Sequence, residues 1–527
     1  MGFSDLGARV AMTSLPELAP LEPGDGLETL GSRVRTGALW AGASSVLLRF
    51  ANIAVMAVVA RIVAPAEFGV FSLALVVYGV GVSLAELGVA SAVARSDLDD
   101  RLIAPTVATI AIMSALVMAG GMFLGAAPLA AMLGSSRAAD PIRVLSICVA
   151  LIGPFAVPGA QIQREFRQSV VFWANVVSFV ISNALLIGLA LTIDGAMAFA
   201  WSRVIGHLVV GVIMLVTAST KYLPGWRAEY VRPLLLFGAP LAFANLLSQV
   251  ALNIDYVIVG RLLSPTKVGV YALAFNVSLW STSVLGATLN SVIMPAFSRV
   301  RRDGGDQDDA TARAARMVSL VAFPIAAISY ALAQPLIETL YGPTWSASTP
   351  VLKVLILYGV LSVICLLMET IIASTGRTGS LLAVQVVLCV ALVPVLWFGA
   401  EHAGLQGVAW GHVAVICFVS VPTYLMVMRS ALGLRVRKLI GALAWPAAAS
   451  VMASAAAALG ASLAPNAFAR LAVGGLSGGV AVIALIGDEL LQLLPPGRLS
   501  WVRRWVGVLG TPARRIRGLL ERYKGKD

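Results

Sequence analysis

From residue 38 to residue 490 the chain is a near-continuous succession of apolar stretches broken only by short polar segments. Each stretch approaches or exceeds the ~20 residues that a helix needs to cross a hydrocarbon core. Inside lipid every backbone polar group must find its partner within the element itself, so an isolated spanning segment has to be helical. Apolar residues make up 59% of the 527, and only 12% are charged. A water-solvated domain carries about 25% charged residues, and the mean hydropathy of +0.89 points the same way. These values exclude a soluble enzyme and a disordered chain. Cys148, Cys365, Cys389 and Cys417 each sit in an apolar run, with neither metal-ligand nor disulfide-frame spacing. The expected class is an all-α integral membrane protein.

Fourteen spans are predicted, near 38–60, 70–94, 104–126, 142–160, 170–192, 196–217, 234–259, 269–297, 317–337, 350–374, 380–400, 405–428, 439–463 and 470–490. Residues 1–37 read as a disordered cytosolic tail without the apolar segment of a signal peptide. Residues 218–233 read as a cytoplasmic linker. Residues 491–527 are basic and interleaved with Trp501, Trp505, Leu519 and Tyr523, the pattern of a helix lying on anionic headgroups.

The positive charges orient this map. Of 38 lysines and arginines, 29 fall on the side of the N-terminus and seven on the other; Arg49 and Arg203 lie within spans. Lysine and arginine concentrate on the cytoplasmic side of a membrane protein. Both termini are therefore expected in the cytoplasm, and the surplus of basic residues needs no nucleic acid to explain it.

A duplication organises the spans. Residues 59–74 read VARIVAPAEFGVFSLA and residues 259–274 read VGRLLSPTKVGVYALA. They align without a gap at an offset of 200, with Arg61/Arg261, Pro65/Pro265 and Gly69/Gly269 among the identical pairs. Both copies fall between the first two spans of a six-span unit. The predicted plan is an N-lobe over 38–217, a C-lobe over 234–428 as a parallel repeat, and two further helices over 429–490. Parallel repeats of this kind place a substrate site between halves. At each junction an arginine ends a helix, proline turns the chain, and glycine permits close approach. Position 67/267 is expected in water.

The run GALWAGASSVLLRFANIAVMAVVARIVAPAEFGVFSLA, followed by AELGVASAVAR, resembles Wzx-type polysaccharide exporters. These form a branch of the multidrug/oligosaccharidyl-lipid/polysaccharide flippase superfamily. The resemblance covers most of residues 33–430. It implies two six-helix bundles arranged as a V around a central cavity. It also implies flipping of a polyprenyl-diphosphate-linked oligosaccharide from the inner to the outer leaflet, with membrane lipids and other polysaccharide-assembly proteins as partners. The expected location is the cell (inner or plasma) membrane.

Ionisable residues within spans are costly and usually face a cavity or a partner. Guanidinium offers phosphate a planar, multidentate donor set. Arg49 and Arg203 are the candidates to hold a diphosphate, with Arg164 at the inner mouth; an ion pair of Arg49 with Glu86 is the structural alternative. Asn245, Gln249 and Asn253 follow an i, i+4, i+8 stripe and are candidate cavity lining. Glu86, Asp255 and Glu369 are candidates for coupling to a sodium or proton gradient, and no other cofactor is expected. With the inside negative, outward movement of an anionic headgroup is downhill by about 2.3 kcal/mol per charge per 100 mV. The competing functions are a drug or metabolite exporter or a lipid II flippase of the same superfamily. A membrane glycosyltransferase or polymerase fits less well, because the outer loops are short and carry one scattered acid each. No Gly-rich phosphate loop points to direct nucleotide use.

Overall fold

The computed structural model describes residues 51–86, 100–165, 167–280, 305–375 and 377–492, together with 297, 299 and 300. Among these residues every regular element is helical. Ten stretches are long and apolar enough to cross a membrane. The N-terminal half comprises residues 51–59 (α1), Pro65–Ala85 (α2), Asp100–Leu124 (α3), the short Ala126–Met132 (α4), Ala139–Arg164 (α5), Gln168–Ala190 (α6) and Gly195–Thr217 (α7). The C-terminal half comprises Ala228–Leu262 (α8), Pro265–Ser278 (α9), Gln307–Ala331 (α10), the short Ala333–Leu340 (α11), Ser348–Ser374 (α12), Thr378–Val415 (α13) and Val421–Leu432 (α14). Val436–Ser462 (α15) and Ala467–Gln492 (α16) pack against each other and against α10.

The repeated junction folds as its residues require. Pro65 and Pro265 each stand in the first turn of a helix, where a missing amide hydrogen costs nothing. Gly69 and Gly269 then bring α2 and α9 into backbone contact. A Cβ on Gly69 would overlap the Pro265 carbonyl, and one on Gly269 would overlap the Pro65 carbonyl. Around this crossing each junction arginine reaches into the other half. Arg61 donates to the Thr339 carbonyl at 2.7 Å, and Arg261 donates to the Met132 carbonyl at 3.5 Å. Those carbonyls belong to α11 and α4, the two short helices. Trp345, fully buried, donates its indole N–H to the Ala60 carbonyl at 2.7 Å. Glu67 does not stay in water as expected: Arg137 holds its carboxylate at 2.5 Å, and the side chain is mostly covered.

A second tight reversal separates the two arms of α13. Gly404 takes φ 58° and ψ −137°, a conformation that needs the missing side chain. Gly399 and Gly407 then lie back to back, and a Cβ on either would overlap the other's carbonyl. The apolar runs 380–400 and 405–428 thus form an antiparallel pair.

Two helices reach further than their apolar runs. α8 starts at Ala228, inside the segment expected to be linker, and α10 starts at Gln307, inside the polar stretch before the ninth predicted span. Hydropathy marks where a helix meets lipid, whereas capping and propensity mark where it begins. Asp306 caps α10 by accepting the amide hydrogens of Asp308 at 2.8 Å and Asp309 at 3.3 Å. The alanine-rich ATARAARM favours helix outside any membrane. These acids also tie the appended helices down: Lys438 bonds Asp309 at 2.7 Å, and the Arg435 amide bonds Asp308 at 3.1 Å. Deeper in, Arg316 grips Glu489 with two bonds of 2.8 and 2.9 Å. The tails 1–37 and 493–527, Arg49 and Pro295 lie outside the described residues.

Overpacking a closed contact costs about 1–3 kcal/mol. Gly69→Ala and Gly269→Ala are each expected to lower the thermal unfolding midpoint in detergent, while Gly120→Ala, whose Cβ meets nothing within 4 Å, should leave it unchanged. Equal behaviour of the three would remove the glycine contact from the account. The amide hydrogens of Asp309 and Asp308 and the nearby Lys438 hold the Asp306 carboxyl below its ordinary range. Its contribution is therefore complete above the unfolded carboxylate range and disappears as the pH falls through the depressed value. Hydrogen exchange, corrected for intrinsic rates, should show the first turn of α10 better protected than in Asp306→Ala near neutrality. That difference should vanish in acid.

Candidate functional site

A cavity of about 1040 Å³ runs along the N-terminal half. It begins beneath Phe68, Phe71, Phe199 and Tyr341 at the junction end and continues to Gln163 and Met214, at the far ends of α5 and α7. Its other wall is Leu273, Asn276 and Trp280, on and just beyond α9. The junction end is shut by aromatic packing: Phe68 meets Phe199 at 5.5 Å and Trp345 at 5.8 Å between ring centroids. Burial pushes the Tyr341 phenol above its ordinary range, so it stands neutral at this closure.

Small residues on α7 set up the charged wall. Gly206 lies against Ser178 and Ser182, and the Ser178 hydroxyl donates to its carbonyl at 2.8 Å. Gly211 abuts Phe155 of α5. Beside these packing residues, which also border the cavity, Arg203, His207, Val210 and Met214 line it at helical spacing. Arg203 is exposed to the cavity and its guanidinium sits 4.8 Å from the Tyr78 ring centroid. Tyr78 in turn meets His207 edge-on at 6.5 Å. Among the described residues no carboxylate lies within ion-pair distance of Arg203. A cation held by a ring face and lacking an acid is an electrostatic invitation to an anionic ligand.

Polar neutral groups complete the surface. Asn175 and Asn183 of α6 spend an amide N–H on the Val171 carbonyl at 2.8 Å and on the Phe179 carbonyl at 2.7 Å. Asn276 does the same to Ala272 at 2.8 Å. All three line the cavity. Each keeps its carbonyl oxygen as an acceptor, the complement of a hydroxyl-rich ligand.

The structure disperses the other candidates. Arg49 is outside the described residues. Arg164 ends α5 exposed, beside the lining residue Gln163 but not itself in the wall. Asn245, Gln249 and Asn253 do not line this cavity. Gln249 faces Gly79 of α2, and Asn253 donates to the Gln249 carbonyl at 2.7 Å, so part of that stripe serves helix contacts. Glu86 stands at the C-cap of α2 and lines the cavity. Glu369 is exposed on α12, away from it. Asp255 is buried, receives the Tyr271 hydroxyl at 2.8 Å and lies 3.6 Å from His412 Nε2. Sequence reasoning missed Tyr78, Tyr271 and Trp345. The partners of Tyr78 and Trp345 are distant along the chain, that of Tyr271 lies on the preceding helix, and aromatic residues in apolar runs carry no local signal. No group of three or more His, Cys, Asp and Glu among the described residues is placed to hold a metal ion.

Comparison with known proteins adds four findings. A family model described as polysaccharide biosynthesis protein matches residues 58–350. The chain is 22% identical over 420 residues to lipopolysaccharide biosynthesis protein WzxC of Escherichia coli (strain K12), covering 78% of this chain and 84% of that one. It is 25% identical over 385 residues to succinoglycan biosynthesis transport protein ExoT of Rhizobium meliloti (strain 1021), covering 71% and 75%. The solved structure of the lipid II flippase MurJ in an inward closed conformation superposes with a TM-score of 0.69 at 12% identity, covering 86% of this chain and 99% of that chain. At that identity the likeness is one of fold.

Trp345→Phe keeps the ring but removes the donor to Ala60, at a cost of about 1 kcal/mol. It is expected to speed labelling of a Ser202→Cys probe in the cavity by a thiol reagent added at the junction side, in a chain whose native cysteines are replaced by alanine. Unchanged labelling would mean that the indole bond does not help to seal that end.

Proposed function

The chain belongs to the polysaccharide biosynthesis protein family, and from that membership we propose that it is a flippase for a polyprenyl-diphosphate-linked oligosaccharide. It carries the headgroup from the cytoplasmic to the outer leaflet of the cell (inner or plasma) membrane, for export of a surface polysaccharide. The observation that carries this reading is Arg203, a cavity cation with no acidic partner among the described residues, in a cavity also lined by the acceptors of Asn175 and Asn183. Guanidinium suits the diphosphate, and amide oxygens suit sugar hydroxyls. The names of WzxC and ExoT, given for lipopolysaccharide biosynthesis and succinoglycan transport, support the same substrate class. The cavity of about 1040 Å³ stands at the upper end of the ~300–1,000 Å³ range of small-ligand pockets, room for several sugar units.

The architecture in this reading is two six-helix lobes in parallel repeat plus two appended helices, fourteen spans with both termini cytoplasmic. The charge bias then puts the junction end outside. The closed junction corresponds to a carrier shut toward the outside, and transport proceeds by alternating access as the lobes rock about the α2–α9 crossing. The membrane potential favours outward passage of the anionic headgroup. A carrier of cationic drugs fits less well, since Arg203 faces the cavity and Glu86 is the one carboxylate among its described lining residues.

The test uses the full chain in liposomes with a fluorescent polyprenyl-diphosphate oligosaccharide, scored by its accessibility in the outer leaflet. Wild type should flip it. Arg203→Gln should slow flipping ~10-fold or more, since a hydrogen bond to a charged group contributes about 1.5–3 kcal/mol. Arg49→Ala, run beside it, asks whether the arginine of the first span shares the headgroup. Full-rate flipping by Arg203→Gln would refute the cavity-arginine mechanism. Efflux of a cationic dye without lipid flipping would replace the substrate class.

A further inference from the structure

The C-terminal half buries a polar cluster that the cavity does not use. Asp255 of α8 is 2% exposed, Tyr271 of α9 is 0% exposed and His412 on the second arm of α13 is 4% exposed. The Tyr271 hydroxyl donates to Asp255 Oδ2 at 2.8 Å, and the Tyr256 amide donates to Oδ1 at 2.9 Å. His412 Nε2 lies 3.6 Å from Oδ2, buried and with no hydrogen-bond partner. Phe275 and Tyr358 close over the imidazole, with ring centroids 5.7 and 5.0 Å away.

We infer that Asp255 and His412 together form a one-proton site, and that a proton bound there holds the junction end closed. Among the described residues the titratable groups facing Asp255 are Tyr256 on its own helix, Tyr271 from α9, Tyr358 from α12 and His412 from α13. Of the two other helices packed against α8, α2 turns its Tyr78 toward Arg203, and α3 carries no titratable residue over 103–124. Among the described residues no lysine or arginine pairs with Asp255. One proton makes the pair neutral overall, either as carboxylate with imidazolium or as acid with imidazole. Without it a net negative charge stays buried among phenols and rings, which is strongly unfavourable. The donor set suits a proton better than an alkali cation. Hard cations take a shell of several oxygens, whereas here both Asp255 oxygens already accept hydrogen bonds and the basic group facing them, His412 Nε2, is a nitrogen.

Two features let this site act on the junction. Tyr271 is two residues from Gly269, so the bond to Asp255 and the crossing with α2 belong to one helix. His412 rides on a short arm between the break at Gly404 and a π-helical turn at Ile416–Ser420. Such turns are rare overall and frequent at functional sites. Loss of the proton favours any arrangement of α8 and α9 that lets water reach Asp255, which loosens the Gly269 contact. The proton enters from solvent on one side and leaves to solvent on the other; no bond other than O–H or N–H is made or broken. Its use in export rests on the flippase reading above, but the site does not.

The experiment follows junction opening in the purified full chain without substrate. Spin labels on Thr192→Cys and Ser346→Cys, in a chain whose native cysteines are alanine, report the distance between the two halves at the junction end. The pH is varied at fixed sodium, and sodium is varied at fixed pH. Wild type should shift from a short to a longer distance as the pH rises, along a one-proton curve, and ignore sodium. Asp255→Asn should stay closed at every pH, and His412→Gln should lose the one-proton response. If Asp255→Asn fails to fold, Tyr271→Phe decides: losing a donor to the carboxylate should move the midpoint to higher pH. A wild-type distance blind to pH, a shift driven by sodium, an unmoved midpoint in Tyr271→Phe, or a response lost in Glu369→Gln or Glu86→Gln instead would each overturn the inference. Because no lipid-linked sugar is present, these failures leave the flippase reading standing. Failure to flip substrate with the pH response intact would count against that reading alone.

Discussion

The crossing of α2 and α9 at Gly69 and Gly269 is the contact on which the rest depends. Two helices can meet backbone to backbone only where neither carries a side chain, and here each glycine lies under the other copy's proline carbonyl. The approach brings Arg61 within reach of Thr339 and Arg261 within reach of Met132. It lets Trp345 bury its ring and still satisfy its N–H on Ala60. Any of these bonds alone is modest. Together they close the cavity at one end, and all of them presuppose the glycine contact. The same residues recur in both sequence copies because both sides of a pseudo-symmetric crossing face the same steric demand.

The cavity's electrostatics follow from what a membrane interior permits. A charge in a spanning helix is tolerated when it has a partner or faces a space that admits one. Arg316 takes the first course, gripping Glu489 so that α16 is fixed to α10. Arg203 takes the second, with the Tyr78 face against it and, among the described residues, no carboxylate in ion-pair distance. An arginine fixed by an ion pair and one left facing a space are therefore distinguished by partners rather than by depth. The asparagines show the same economy. Each spends one amide N–H on a backbone carbonyl one turn back and keeps its carbonyl oxygen as an acceptor for the cavity.

Much of this was legible in the chain. Hydropathy located the helices because lipid imposes a length on apolar runs, and the 59–74/259–274 echo marked the junction together with the need for close approach at glycine. What escaped had physical reasons. The starts of α8 and α10 lie in polar sequence, where capping by Asp306 and alanine-rich propensity decide, not hydropathy. The stripe Asn245, Gln249, Asn253 has the periodicity of one face, but periodicity does not say what that face meets; at Gln249 it meets α2. Tyr78 and Arg203, or Asp255 and His412, are separated by more than a hundred residues, and no local pattern pairs them. Asp255 was recognisable as a costly charge, whereas the phenol and imidazole that make it tolerable were not.

The segment from Pro265 to Trp280 joins these themes through its periodicity. Gly269, Leu273, Asn276 and Trp280 are spaced at four, three and four residues and so share one face, which meets α2 at its start and lines the cavity beyond. Tyr271, Phe275 and Ser278 lie on the opposite face. There they meet Asp255, the His412 ring and Gly359 of α12. A helix is stiff along its length, so a displacement imposed on one face is transmitted to the other. A proton gained or lost at Asp255 and His412 changes what the inner face can bury. The outer face carries both the seal and one wall of the substrate space. Coupling across the molecule then needs no long relay of side chains, because a single element of about four turns touches the proton site, the closure and the cavity at once.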